Sequence, residues 1–119
     1  MGDGSYANFH FCVLDENQVT IGRNVFIGPY CSIYTPIHPL CWEDRNTFLT
    51  KKTGVETNLE YSAPVTIGSG CVIGAGSVVT RSIPAGSLAF GNPCRVVRPI
   101  TDADRMSRHP ERLADEAAQ

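Results

Sequence analysis

Ile21-Gly22-Arg23-Asn24-Val25-Phe26-Ile27-Gly28-Pro29-Tyr30-Cys31-Ser32-Ile33 decides the fold, because its aliphatic residues return at every sixth place. Gly follows Ile21 and Ile27, and four places after each of these stands Val25 or Cys31. The pattern comes back at Ile67-Gly68, Ile73-Gly74 and Val79, with Cys71, Ser77 and Ile83 four places on. A helix needs apolar residues at spacings of three and four, and a hairpin strand needs strict alternation, so neither template fits both blocks. A hexad does fit. A short strand turns its aliphatic residue inward, the small residue four places on also faces in, and Gly allows the corner. Three hexads make one triangular turn of a parallel β-helix, an all-β solenoid whose turns stack like rungs. The competing β-sandwich would need several tight hairpin turns, and the chain holds a single Asp-Gly dipeptide, Asp3-Gly4.

Outward from the hexads, Met1, Ala7 and Val13 keep the same period. The polar quartet Asp15-Glu16-Asn17-Gln18 then interrupts it and predicts a protruding corner. From Thr35 to Ala63 the period is lost; this stretch holds Pro36, Pro39 and the only Trp, Trp42, and reads as a long loop of the kind that carries function. Ala85 to Pro93 reads as an extended exit, and Thr101 with Asp104 as a helix N-cap signal, predicting a short polar helix over about 101–116. The predicted organisation is a repeat region, 1–99, with the loop 35–63 inserted, and a helical tail, 100–119. Around three turns leave open ends and few residues per inward row, which predicts a side-by-side homotrimer.

Composition narrows the class. A chain of 119 residues is one domain on a prior of about 150 residues per domain. With 42% hydrophobic and 18% charged residues it carries enough apolar surface for a core. Ten Lys and Arg against twelve Asp and Glu give a formal charge of −2, without the basic bias that recruits nucleic acid. No apolar run approaches the ~18 residues of a membrane span. The five cysteines, an odd number without a CxxC pair, argue against a disulfide framework or zinc ribbon and predict a reducing cytoplasm.

Six segments together carry a family signature. They are Tyr6-Ala-Asn-Phe-His-Phe-Cys-Val-Leu-Asp15, Val19-Thr-Ile-Gly22, Thr35-Pro-Ile-His-Pro39, Leu59-Glu-Tyr-Ser-Ala-Pro-Val-Thr-Ile-Gly68, Val72-Ile-Gly-Ala-Gly-Ser-Val-Val-Thr80 and Gly91-Asn-Pro-Cys-Arg-Val-Val-Arg98. In this order they resemble the maltose/galactoside O-acetyltransferases, hexapeptide-repeat enzymes with a left-handed parallel β-helix. The His-Pro loop and the tail GNPCRVVR are the specific parts. The family also has an N-terminal helical region and one further coil between the two hexad blocks. Here Ile67-Gly68-Ser69-Gly70 runs straight into Cys71-Val72-Ile73-Gly74, a gap of about eighteen residues, three hexads of one turn.

The resemblance implies acetyl transfer from acetyl-CoA, as co-substrate and with no metal, to a hydroxyl of a sugar or similar small molecule. It makes His38 the general base: a neutral imidazole, with an ordinary pKa near ~6.5, can take the alcohol's proton at neutral pH. Asn8 resembles the amide beside that base, and Glu60 is the preferred carboxylate for orienting it. Tyr6, Asp15 and Glu16 resemble acceptor-lining residues. Ala75 through its N–H, with Thr80, Arg81, Arg95 and Arg98, matches the coenzyme positions, where cationic side chains suit phosphates. Cys41 as a nucleophile is disfavoured by its closeness in sequence to His38, and a metal hydrase by having only His10, His38 and His109. Losing one turn brings the segment from Cys71 to Arg98 about 4.8 Å nearer His38. Catalysis tolerates only about 1 Å, so weak or absent activity is expected. The second reading is a shortened, non-catalytic solenoid that serves as an assembly or scaffold subunit.

Overall fold

The computed structural model of the chain describes residues 1–37, 40–42 and 61–111. Its strands are short, as hexads require: β1 (Tyr6–Ala7), β2 (Cys12–Leu14), β3 (Val19–Ile21), β4 (Phe26–Ile27), β5 (Ser32–Tyr34), β6 (Pro36–Ile37), β7 (Tyr61–Ser62), β8 (Val65–Ile67), β9 (Val72–Ile73), β10 (Val78–Val79), β11 (Ser87–Phe90) and β12 (Arg95–Pro99). Successive strands step around three faces. The first face stacks β1, β4, β9, β11 and β12, the second stacks β2, β5 and β10, and the third pairs β3 with β8. An isolated parallel bridge from Ile67 to Ile83 extends the third face by one rung. Every pairing between rungs from β1 to β11 is parallel, which excludes the hairpin-built sandwich.

Three inward rows form the core, one per face. Ala7, Ile27, Ile73 and Ala89 lie in register on the first face. Val13, Ile33 and Val79 do so on the second, and Ile21, Ile67 and Ile83 on the third. Between the rows, Val25, Cys31, Cys71 and Ser77 fill the interior of the bends, each at most 1% exposed. Both sets of positions that the hexad spacing turns inward are therefore buried in the second and third rungs. The first rung closes the stack only in part. Ala7 and Val13 pack against the core half-buried, and Met1 is 69% exposed and takes no inward place.

Turning between faces demands positive φ. Gly4, Asn24, Gly70 and Gly86 stack at the bend from the third face to the first, with φ between 56° and 75°. His10, Tyr30 and Gly76 stack at the bend from the first face to the second, with φ of 58°, 59° and 71°. Gly22 answers a different need, because a Cβ there would lie 2.6 Å from the Ser69 backbone nitrogen in the next rung.

Two expectations for the C-terminal part change. Ser87–Phe90 is not a bare exit but a fourth rung, since Leu88 and Ala89 pair in parallel with Val72 and Ile73. In place of one helix starting at 101, residues 102–104 and 106–108 form two separate 3-10 turns; residues 110 and 111 are helical, and the rest of the expected helix, 112–116, lies outside the described residues. Arg105 interrupts them in extended backbone, φ −64° and ψ 138°. The N-cap signal itself holds: the Thr101 N–H donates to Asp104 Oδ2 at 2.9 Å.

Candidate functional site

Asn8 follows β1 at the bend between the first and second faces. Its backbone N–H donates to the Ile27 carbonyl at 2.9 Å, and its Oδ1 accepts the Phe9 N–H at 2.8 Å. With Oδ1 engaged, Nδ2 is the group left to donate outward, and it bonds no described residue. One rung up stands Gly28, whose N–H donates to the Ile73 carbonyl. A Cβ on Gly28 would meet the Ala75 nitrogen at 2.8 Å, so Ala75 sits directly over it. Among the described residues nothing accepts the Ala75 N–H. By register Asn8 and Gly28 lie under Gly74, and Ala75 follows it, so the Asn8 Nδ2 and the Ala75 N–H, each without an acceptor among the described residues, stand at the same bend two rungs apart, about 10 Å.

Tyr6 begins a second row, on the outer side of the first face. It is in register with Phe26, Val72, Leu88 and Arg98 across four strand steps, about 19 Å. The Tyr6 and Phe26 rings stack with centroids 5.7 Å apart, and both remain exposed. Asp15 and Glu16 occupy the exposed corner after β2.

Thr80 and Arg81 lie exposed at the bend after β10, and Arg95 opens β12 with Nη1 donating to the Cys94 carbonyl at 3.0 Å. Arg98 is placed differently from the other cations. Its guanidinium grips Asp104 through both nitrogens of its fork, at 2.8 Å each. The Arg98 hydrogen bonds, with the Thr101 N–H, hold the Asp104 carboxyl well below the usual carboxylate range, and Asp104 in turn raises the Arg98 pKa. Arg98 would have to exchange this partner to take a phosphate.

His38 and Glu60 lie outside the described residues. What is described is the stem beside them in sequence: Pro36 pairs with Ser62 and Ile37 with Tyr61, antiparallel, in a ribbon at the base of the 38–60 excursion.

Two features were not read from the sequence. Asn17 reaches from the exposed corner to Thr35 and Ser62, at both ends of that excursion. At the bend beside Asn8, the His10 and Tyr30 rings stack at 4.8 Å, with Phe9 edge-on to both. A polar quartet signals a corner but not its contacts, and an aromatic residue is a poor signal for positive φ.

The hexapeptide-repeat model described as the hexapeptide repeat of succinyl-transferase matches residues 55–83. The chain is 40% identical over 111 residues to the galactoside O-acetyltransferase of Lactococcus lactis subsp. lactis (strain IL1403), covering 87% of this chain and 54% of that protein. The chain is a hexapeptide-repeat relative of the galactoside O-acetyltransferases. Among solved structures, a galactoside acetyltransferase in complex with coenzyme A matches with a TM-score of 0.61 at 40% identity, over 87% of this chain and 56% of that one. A hexapeptide-repeat acetyltransferase of Vibrio cholerae O1 biovar eltor, complexed with acetyl coenzyme A, matches with a TM-score of 0.59 at 28% identity, over 85% and 60%. The chain spans about half the length of the curated relatives it matches.

Proposed function

We propose that the chain transfers an acetyl group from acetyl-CoA to a hydroxyl of a sugar or similar small molecule, with His38 as general base. The single observation that carries this reading is the bend shared by Asn8, Gly28 and Gly74–Ala75, where the Asn8 Nδ2 and the Ala75 N–H are both left without an acceptor among the described residues. In this reading the imidazole removes the hydroxyl proton as the oxygen attacks the thioester carbon. The tetrahedral oxyanion is held by the Asn8 Nδ2 donor, then collapses and expels the coenzyme thiolate, which leaves readily because a thiol has a pKa of only about 8.5. Glu60 orients the base, and Tyr6, Asp15 and Glu16 line the acceptor. The Ala75 N–H and Thr80 hold the pantetheine arm, Arg81 and Arg95 meet the phosphates, and Arg98 joins them only on releasing Asp104.

The coil in this proposal is a left-handed parallel β-helix over 1–99, followed by a tail over 100–119. It assembles as a homotrimer with sites between copies, and the outward row of exposed Tyr6 and Phe26 with half-buried Val72 and Leu88 supports a partner surface on the first face. The described cysteines are all free thiols, which supports work in the reducing cytoplasm.

A second reading, a non-catalytic assembly subunit, is favoured by one observation. β8 and β9 seat directly on β3 and β4 with no rung between, so the coenzyme segment follows the first two rungs at once. Titrating the full chain with coenzyme A separates the readings, and micromolar binding rejects the second. In a thiol-release assay with acetyl-CoA and a panel of sugars, His38→Ala is expected to abolish turnover; wild-type turnover in that variant removes His38 as the base. Inserting one turn of about eighteen residues between Gly70 and Cys71 is expected to raise the rate.

A further inference from the structure

Asn17 is the half-buried member of an otherwise exposed corner. Its N–H donates to Thr35 Oγ1 at 3.0 Å, its Nδ2 donates to the Ser62 carbonyl at 3.3 Å, and its Oδ1 accepts the Gln18 N–H at 2.7 Å. Thr35 is 2% exposed, and both its hydroxyl, at 2.9 Å, and its N–H, at 3.1 Å, donate to the Leu14 carbonyl. The Gln18 carbonyl accepts the Val65 N–H at 3.0 Å. One corner of the first rung therefore holds the residue just before β6, a residue of β7, and the start of β8.

This arrangement answers a physical need. Closing the 38–60 excursion costs chain entropy, and a ribbon of two residue pairs is marginal by itself. No hexad rule calls for a side chain at position 17 that spans both ends of the gap. An ordinary solvated corner would leave its amide in water, whereas this one places its N–H and its Nδ2 on partners at the two ends of the stem.

We propose that Asn17 is a positioning residue, whose N–H and carboxamide lock Thr35 and Ser62, which flank the stretch 38–60 in sequence, to the first rung, and that acetyl transfer depends on this lock. The catalytic half of this proposal rests on the acetyltransferase reading above. Asn17→Asp is the sharpest variant, because it keeps the acceptor for Gln18 but turns the donor facing the Ser62 carbonyl into an acceptor. Thr35→Ser retains the hydroxyl and should behave as wild type.

The test is amide hydrogen exchange on the full chain, combined with steady-state acetyl transfer. In Asn17→Ala and Asn17→Asp, the amides of Ile37, Tyr61 and Ser62 are expected to exchange about ten-fold faster, the size of one lost hydrogen bond, while those of Ile27 and Ile73 hold. The kcat is expected to fall about ten-fold with the KM for acetyl-CoA unchanged, as for a lost alignment rather than lost coenzyme binding. If Asn17→Ala also loses protection at Ile27 and Ile73, the isosteric Asn17→Asp decides. Unchanged exchange in β6 and β7 overturns the proposal, and so does faster exchange with wild-type kcat. A wild-type chain that transfers no acetyl group overturns the acetyltransferase reading instead, and exchange alone then decides the clasp.

Discussion

The coil and the segment that follows it are held by different physics. From rung to rung, the coil stacks Ile27 on Ile73 and Ile33 on Val79, all at most 1% exposed. From Arg95 to Arg108 no residue is buried. There the chain runs antiparallel along β11, and charged contacts then hold the turns: Arg98 with Asp104, and Asp102 with both Arg105 and Arg108. The difference teaches that a repeat stabilises itself only while there is another rung to cover. Once the rungs end, the chain depends on exposed ion pairs, which are worth little individually.

The largest effect that tests this contrast is expected at Ile73. It is fully buried between Ile27 and Ala89, so Ile73→Ala is expected to cost about 2–5 kcal/mol in urea unfolding. A loss below about 1 kcal/mol would mean that the inward rows are not what holds the coil. Gly70→Ala should come next. With φ at 75° and nothing nearer than the Gly86 Cα at 4.0 Å, its cost is backbone strain alone, about 1–2 kcal/mol.

Acid provides the smallest and most local effect. Asp104 has a folded pKa below its unfolded value of about 3.9, so its contribution is complete above that value and is lost as pH falls below about 4. Amide protection at Asp104 is expected to fall in that window while Ile27 and Ile73 keep theirs. Simultaneous loss at all three would show that coil and tail unfold as one unit.

How much of this was readable follows the same division. Ile27, Cys31, Ile73 and Ser77 could be placed inward from spacing, because a short strand and a bend leave little choice about which side chain faces the axis. Tyr30 gave no warning that it occupies the positive-φ bend, since the strongest sequence signals for that geometry are Gly and Asn, as at Gly4 and Asn24. The helix expected from 101 does not run through 101–108, where Asp104 is held by Arg98 and Thr101 and the chain extends at Arg105, a pairing invisible in residue types alone. For the site, the residue classes were readable and the partners were not. Arg98 read as a cation for phosphate, and the structure gives it Asp104.

By itself, the sequence determined the inward rows, most of the bends and the kinds of side chain at the candidate site, because period and residue type are local properties. Only the tertiary structure decided that Asn17 meets Thr35 and Ser62, respectively 18 and 45 residues away. The physical reason is that β3 selects β8 through inward side chains and backbone hydrogen bonds, whatever the length of chain between them. Stacking converts sequence distance into one strand spacing, and which corner groups become neighbours is known only once the rungs are laid.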